Sequence, residues 1–140
     1  MKFDNWLKVY GDINFRGACP LEGAEQMTFF NYIRDKYPQL AKTATHIKNE
    51  GKRTMNQAMR DKANGLAAGA ADIIIPGSPA FVCELKRQDH TKCRFQPGQE
   101  EYLQIAHQNG AFVCVALGHK AAIEALEVWL CTLTIAVGSI

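Results

Sequence analysis

Gly69-Ala-Ala-Asp72-Ile-Ile-Ile75 and, after a short turn, Phe81-Val-Cys-Glu84-Leu-Lys86 set three charged groups inside two otherwise apolar runs. The β-branched run over residues 71–75 and the apolar run over residues 80–85 read as strands. Pro76-Gly77-Ser78-Pro79 between them is a strong turn signal, so the pair forms a hairpin. Side chains two apart on a strand share a face about 6.5 Å from each other, so Glu84 and Lys86 project together while Cys83 and Leu85 point the other way. An Asp and a Glu on adjacent strands, aimed at one point, make a hard oxygen site suited to Mg²⁺ or Mn²⁺. A lysine beside them can hold an attacking water or a developing phosphate charge. A lone Glu-x-Lys on an edge strand arises often by chance, so the weight rests on its surroundings.

Those surroundings alternate strand and helix. From Leu21 the apolar residues Leu21, Met27, Phe29, Phe30 and Ile33 recur at helical spacing, and Pro38 stops the helix near Tyr37. Residues 44–47 suit a short strand and residues 54–64 a polar helix with an exposed side. Pro97-Gly98 precedes a helix over residues 99–108, which Asn109-Gly110 ends. Residues 112–117 are a continuous apolar strand, and residues 119–130 another helix. The order implies an α/β fold with a mixed sheet covered by helices. Residues 1–20 lack periodicity and are expected to form a loosely ordered lead-in. Residues 129–140 are apolar, suiting either a dimer surface or an extra core strand.

Composition bounds the function. The 140 residues are 47% apolar and 21% charged, enough for one domain with its own core. The five cysteines, at 19, 83, 93, 114 and 131, form neither a Cys-x-x-Cys pair nor a framework, which fits a reducing cytosol. No stretch has the form of a secretory signal, and residues 128–137 are too short a run to span a membrane, which needs about 20. His107 and His119 lack a second ligand at zinc spacing. Net charge is only +2, yet residues 34–62 carry eight basic side chains against three acids. Lys86, Arg87, Lys92 and Arg94 crowd a later stretch. This distribution suits a phosphate backbone held near a metal, although a solvated basic face would look the same.

Taken in order, Glu25 in the first helix, His46-Ile-x-Asn49, Gly69-x-x-Asp72, Glu84-x-Lys86, Gln99-x-x-Tyr102-Leu and Gly110-x-x-Val-x-Val-Ala resemble the VRR-NUC family of the PD-(D/E)XK nuclease superfamily. The resemblance covers residues 21–130; the lead-in 1–20 and the tail 131–140 lie outside it, and Ala71 stands where many members have Pro. It implies a restriction-endonuclease-like fold, a central mixed β-sheet flanked by helices. It also implies Mg²⁺- or Mn²⁺-dependent hydrolysis of DNA phosphodiesters, often by a homodimer acting on branched DNA such as Holliday junctions or flaps. Stand-alone members of this length are typical of phages and prophages, which would place the protein in a bacterial cytoplasm.

Residue by residue, Asp72 and Glu84 resemble the metal-binding carboxylates, with Leu85 between Glu84 and Lys86 in the same metal set. Lys86 resembles the catalytic lysine, Gln99 the glutamine that supports the site, and Glu25 the first-helix glutamate that reaches a metal. Glu22 is a rival to Glu25, three residues earlier on the same helix. Phosphate contact is expected from Lys48, Asn49, Lys52, Arg53, Arg87 and Lys92. His46 either touches phosphate or fills its strand, and Cys83 is expected to be a small core residue. Two other functions stay open on the residues alone: a DNA-binding module of this fold without catalysis, and a hydrolase of small phosphate esters.

Overall fold

The computed structural model describes residues 1–47, 54–67 and 69–138, with side chains described as far as Leu133. Five strands form one mixed sheet: β1 (Lys8–Tyr10), β2 (Thr45–His46), β3 (Ile73–Ile75), β4 (Phe81–Lys86) and β5 (Phe112–Leu117). Their spatial order is β1-β5-β4-β3-β2. β5 is parallel to both β1 and β4, whereas β3 runs antiparallel to β4 and β2 antiparallel to β3. The mixed sheet flanked by helices is the architecture the sequence implies. The expected hairpin is present, with Ile73 opposite Cys83 and Ile75 opposite Phe81.

Among the described residues five α-helices accompany the sheet: α1 (Glu22–Lys36), α2 (Pro38–Ala41), α3 (Met55–Ala63), α4 (Gln99–Gln108) and α5 (His119–Gly138). α1 has acids in its first turn and Arg34 and Lys36 in its last, both matched to the helix dipole, and Pro38 interrupts it. The short helix α2, which starts at Pro38, has no counterpart in the sequence expectation. Thr54 caps α3 by accepting from the Gln57 N–H at 3.1 Å. Every residue of α3 is exposed or only half-buried, as its polar sequence leads one to expect.

Alternation along the central strands sorts the core into two halves. Ile73, Ile75, Phe81, Cys83, Leu85, Cys114 and Ala116 pack against Phe29 and Ile33 of α1 and against Ala122, Leu126 and Trp129 of α5. Val82, Val113, Val115 and Leu117 face the other way, toward Leu103 of α4 and Leu7. Each large side chain buried completely, such as Phe29 or Leu103, contributes about 1.5–3 kcal/mol. Cys83 belongs to the first half. The Cys114 thiol beside it and its burial push the Cys83 thiol well above its ordinary pKa, which makes it an inert packing residue.

Both ends of the chain differ from expectation. The supposed loose lead-in supplies edge strand β1, with Lys8, Val9 and Tyr10 in parallel register with Cys114, Val115 and Ala116. Three residues are too few to show a period, but a ready-made edge on β5 gives them a partner. The apolar end is neither a strand nor a dimer surface at Trp129, because α5 runs on to Gly138. Trp129 is fully buried, its ring 5.5 Å from that of Phe81 and its indole N–H donating to the Pro79 carbonyl at 2.8 Å. Trp129→Ala should therefore cost about 3–5 kcal/mol in denaturant unfolding. Val128→Ala, one residue away on the exposed side of α5, should stay within about 0.5 kcal/mol.

Candidate functional site

The G-x-x-D turn is built by close approach. Gly69 has φ +73°, and a Cβ there would sit 2.3 Å from the Gly98 carbonyl carbon, so only glycine lets the entry to β3 lie against the start of α4. Gly98 in turn adopts φ +88° as the N-cap of α4. The contact brings Gln99, the first residue of α4, over the face of β4 that carries Glu84 and Lys86.

Glu84 and Lys86 are almost completely buried, and so is Gln99. Gln99 bridges the other two. Its Nε2 donates to Glu84 Oε1 at 3.0 Å, and its Oε1 accepts from Lys86 Nζ at 3.2 Å and from the Gln96 N–H at 2.7 Å. Lys86 Nζ also donates to the Arg94 carbonyl at 3.0 Å and lies 3.7 Å from Glu84 Oε1 and from Glu22 Oε1. Asp72 Oδ2 accepts the Leu85 N–H at 2.9 Å. A residue's N–H and C=O leave a strand on the same side, so the Leu85 carbonyl opens toward Asp72 as well.

Glu84 Oε2 is buried without a hydrogen-bond partner among the described residues. Burial pushes the Glu84 carboxyl well above the ordinary carboxylate range, and the facing Asp72 carboxylate adds to the rise, with Lys86 opposing it. Two acceptors facing each other with no donor between them are the arrangement a hard cation relieves. Among the described residues no three His, Cys, Asp or Glu side chains converge to enclose an ion. The available donors are two carboxylates and one carbonyl, a set that suits a cation retaining several waters, as Mg²⁺ does.

These groups form the floor of a cleft of about 1440 Å³. Glu22 of α1, His46 of β2, Lys62 of α3 and Lys92 and Arg94 of the segment after β4 stand around it. Glu25 does not. Its carboxylate accepts from the backbone N–H and the ring Nδ1 of His119 and from Gln88 Nε2, so it caps α5 instead of facing Asp72. Gly118 makes room for this, since a Cβ there would lie 2.9 Å from Glu25 Oε2. Glu22 takes the place in the cleft that the first-helix glutamate was expected to fill. Burial, with Asp72 adding to it, raises the Glu22 carboxyl, while Lys86 opposes the rise.

The expected phosphate contacts divide three ways. Lys48, Asn49, Lys52 and Arg53 lie outside the described residues. Lys92 is exposed at the cleft. Arg87 borders the cleft, but its guanidinium is already engaged, donating to the backbone carbonyls of Cys19 at 2.8 Å and Pro20 at 3.1 Å. His46 does not fill its strand. It is exposed, with Nδ1 2.9 Å from the Asp72 carbonyl oxygen. Lys62 and Arg94, which belong to the two basic stretches but not to the individually expected phosphate contacts, also line the cleft. The signal for Lys62 was its place four residues after Ala58 on α3, which puts both on the cleft side.

No family model and no curated protein matches the chain. Among solved structures, a VRR_NUC domain protein superposes with a TM-score of 0.66 at 21% identity, covering 85% of this chain and 93% of that one. The chain has the fold of a VRR_NUC domain. Within that fold, the cleft lies where the β3–β4 hairpin, the first turn of α1 and the start of α4 meet.

The buried carboxyl gives a pH signature. Its folded pKa is raised, so between the ordinary carboxylate range and that raised value the native state of this VRR_NUC fold holds a proton that the unfolded chain has lost. Stability of the metal-free protein should therefore fall as pH rises through this window. Urea unfolding across the window should show the decline, and Glu84→Gln should remove most of it.

Proposed function

We propose that the chain is a VRR-NUC nuclease that hydrolyses DNA phosphodiester bonds with Mg²⁺ or Mn²⁺. The observation that carries the reading is the unpartnered, buried Glu84 Oε2 facing Asp72 beside a buried Lys86, on the floor of a basic-rimmed cleft in a VRR_NUC fold. A catalytically retired module has no need to keep two carboxylates under this strain. A small ester would need no rim of Lys62, Lys92 and Arg94.

Asp72, Glu84 and the Leu85 carbonyl are the groups to hold the cation, with Glu22 in the role first given to Glu25. A divalent ion so bound supplies charge neutralisation at the phosphate and a more acidic water. The protein's own groups do the rest. Gln99 fixes the rotamers of Glu84 and Lys86 through its two hydrogen bonds, so neither has to reorganise when substrate arrives. Lys86, held by the Arg94 carbonyl and Gln99 Oε1, offers its remaining donor capacity to the attacking water or a phosphate oxygen. Lys62, Lys92 and Arg94 draw the backbone of the DNA to the cleft.

Branched DNA, a Holliday junction or a flap, is the substrate class we assign. The support is the resemblance of the sequence motifs to the VRR-NUC family, together with the VRR_NUC fold. Symmetric cutting of a junction needs two active sites, hence a homodimer. Its surface is not Trp129, which the core consumes. The cytoplasm of a bacterium carrying a phage or prophage is the setting that goes with this reading. Among the described residues no helix is long and apolar enough to cross a membrane.

Labelled four-way junction, flap and linear duplex should be cut with Mg²⁺ or Mn²⁺ and left intact in EDTA. Glu84→Ala and Lys86→Ala should each lower the rate at least about a hundredfold while still binding DNA. Binding without cleavage by the wild type under any metal would leave the binding-module function in place of the nuclease.

A further inference from the structure

α1 delivers Glu22 to the cleft, yet its cap position does nothing to fix where it starts. Its N-cap is Leu21, an exposed apolar residue that makes no side-chain capping bond. Ser, Thr, Asp and Asn are the residues preferred at this place, because their side chains accept from the first free N–H groups. The segment that leads into α1 is held from across the fold, by the four residues that follow β4.

Arg87 comes directly after Lys86 and forks onto the last two carbonyls before the N-cap, with Nη2 on Cys19 and Nε on Pro20. Asp89 Oδ2 accepts the Gly17 N–H at 2.9 Å, and His90 Nε2 lies 3.0 Å from the Ile13 carbonyl oxygen. Residues 87–90 thus grip the backbone of residues 13–20 at four points. The grip and the catalytic strand are one continuous segment, so the position of Lys86 and that of the first turn of α1 are tied together. Glu22 Oε1 then stands 3.7 Å from Lys86 Nζ.

We propose that Arg87 is a positioning residue, whose guanidinium sets Glu22 against Lys86 by anchoring the Cys19 and Pro20 carbonyls, and that it is not a DNA contact. A planar fork with donors in fixed relation suits two adjacent carbonyls, whereas a lysine ammonium is a point donor on a flexible stem and holds one of them poorly. The proposal extends the nuclease reading, since Glu22 acts at the same site.

The test uses the full chain as wild type, Arg87→Gln, Arg87→Lys, Glu22→Gln and the Arg87→Gln/Glu22→Gln double variant. Arg87→Gln should lower kcat for junction cleavage about tenfold or more, with the DNA Kd and its salt slope unchanged. Arg87→Lys should recover part of the loss. The double variant should be no slower than Glu22→Gln alone, because Arg87 acts through Glu22. Independently of cleavage, hydrogen exchange at the Ala24 and Glu25 amides, which bond to the Leu21 carbonyl, should quicken in Arg87→Gln. A raised Kd with a salt slope shallower by about 1 would make Arg87 a phosphate contact and overturn the proposal. Unchanged exchange, or additive losses in the double variant, would overturn it too. Should Arg87→Gln fail to fold, Arg87→Lys carries the same comparisons, paired with Glu22→Gln. A wild type that cuts nothing defeats the nuclease reading, while the exchange result still decides the anchoring.

Discussion

One carboxylate taken out of water without a full set of partners governs this structure. Removing an ionised group from water costs several kcal/mol unless it is compensated, and the Glu84 carboxyl answers by holding its proton well above the ordinary carboxylate range. Among the described residues, Glu84 accepts a hydrogen bond from Gln99 and faces a second carboxylate. Gln99 reaches it only because Gly69 and Gly98 let β3 and α4 touch through bare backbone. Lys86 would be a second uncompensated charge if the Arg94 carbonyl, Gln99 and the two glutamates did not surround it. The apolar strands on either side supply the stability that lets this arrangement persist. The protein keeps a locally unfavourable site because the rest of the sheet can bear it.

The parts of this plan that are local in the chain were legible from it. The hairpin, its turn, the helix beginning at Gln99 and strand β5 all announce themselves through β-branched runs, Pro and Gly, and charges set in apolar runs led to the expectation that Asp72, Glu84 and Lys86 meet, as they do at one cleft. What depends on distant partners was hidden. β1 has no pattern of its own and exists because β5 offers an edge. The continuation of α5 through the apolar end could not be told from a strand, since a uniformly apolar run has neither period.

Glu22 and Glu25 show the limit most sharply. Three residues apart on one helix, they point to neighbouring positions, and no local rule separates them. The choice is made elsewhere, by the space over Gly118 and the free N–H at the start of α5, which claim Glu25 and leave Glu22 for Lys86. Arg87 teaches the same lesson in reverse. A basic residue in a basic stretch reads as a phosphate ligand, but two backbone carbonyls more than sixty residues away have already taken it.

The parallel pairing of β1 with β5 bears on how the chain reaches this state. Lys8 waits for Cys114, so one edge of the sheet stays open until more than a hundred further residues have been synthesised. The β3–β4 hairpin, by contrast, is local and can close within about 1–10 μs. Until β5 arrives, β4 presents a bare edge of apolar sequence with its carboxylate still hydrated. At translation speeds of roughly 5–20 residues per second, that interval lasts seconds, long enough for edge-to-edge association with another nascent chain. Charged side chains on an open strand disfavour such pairing, and Glu84 and Lys86 put two of them on β4 for as long as that edge is bare.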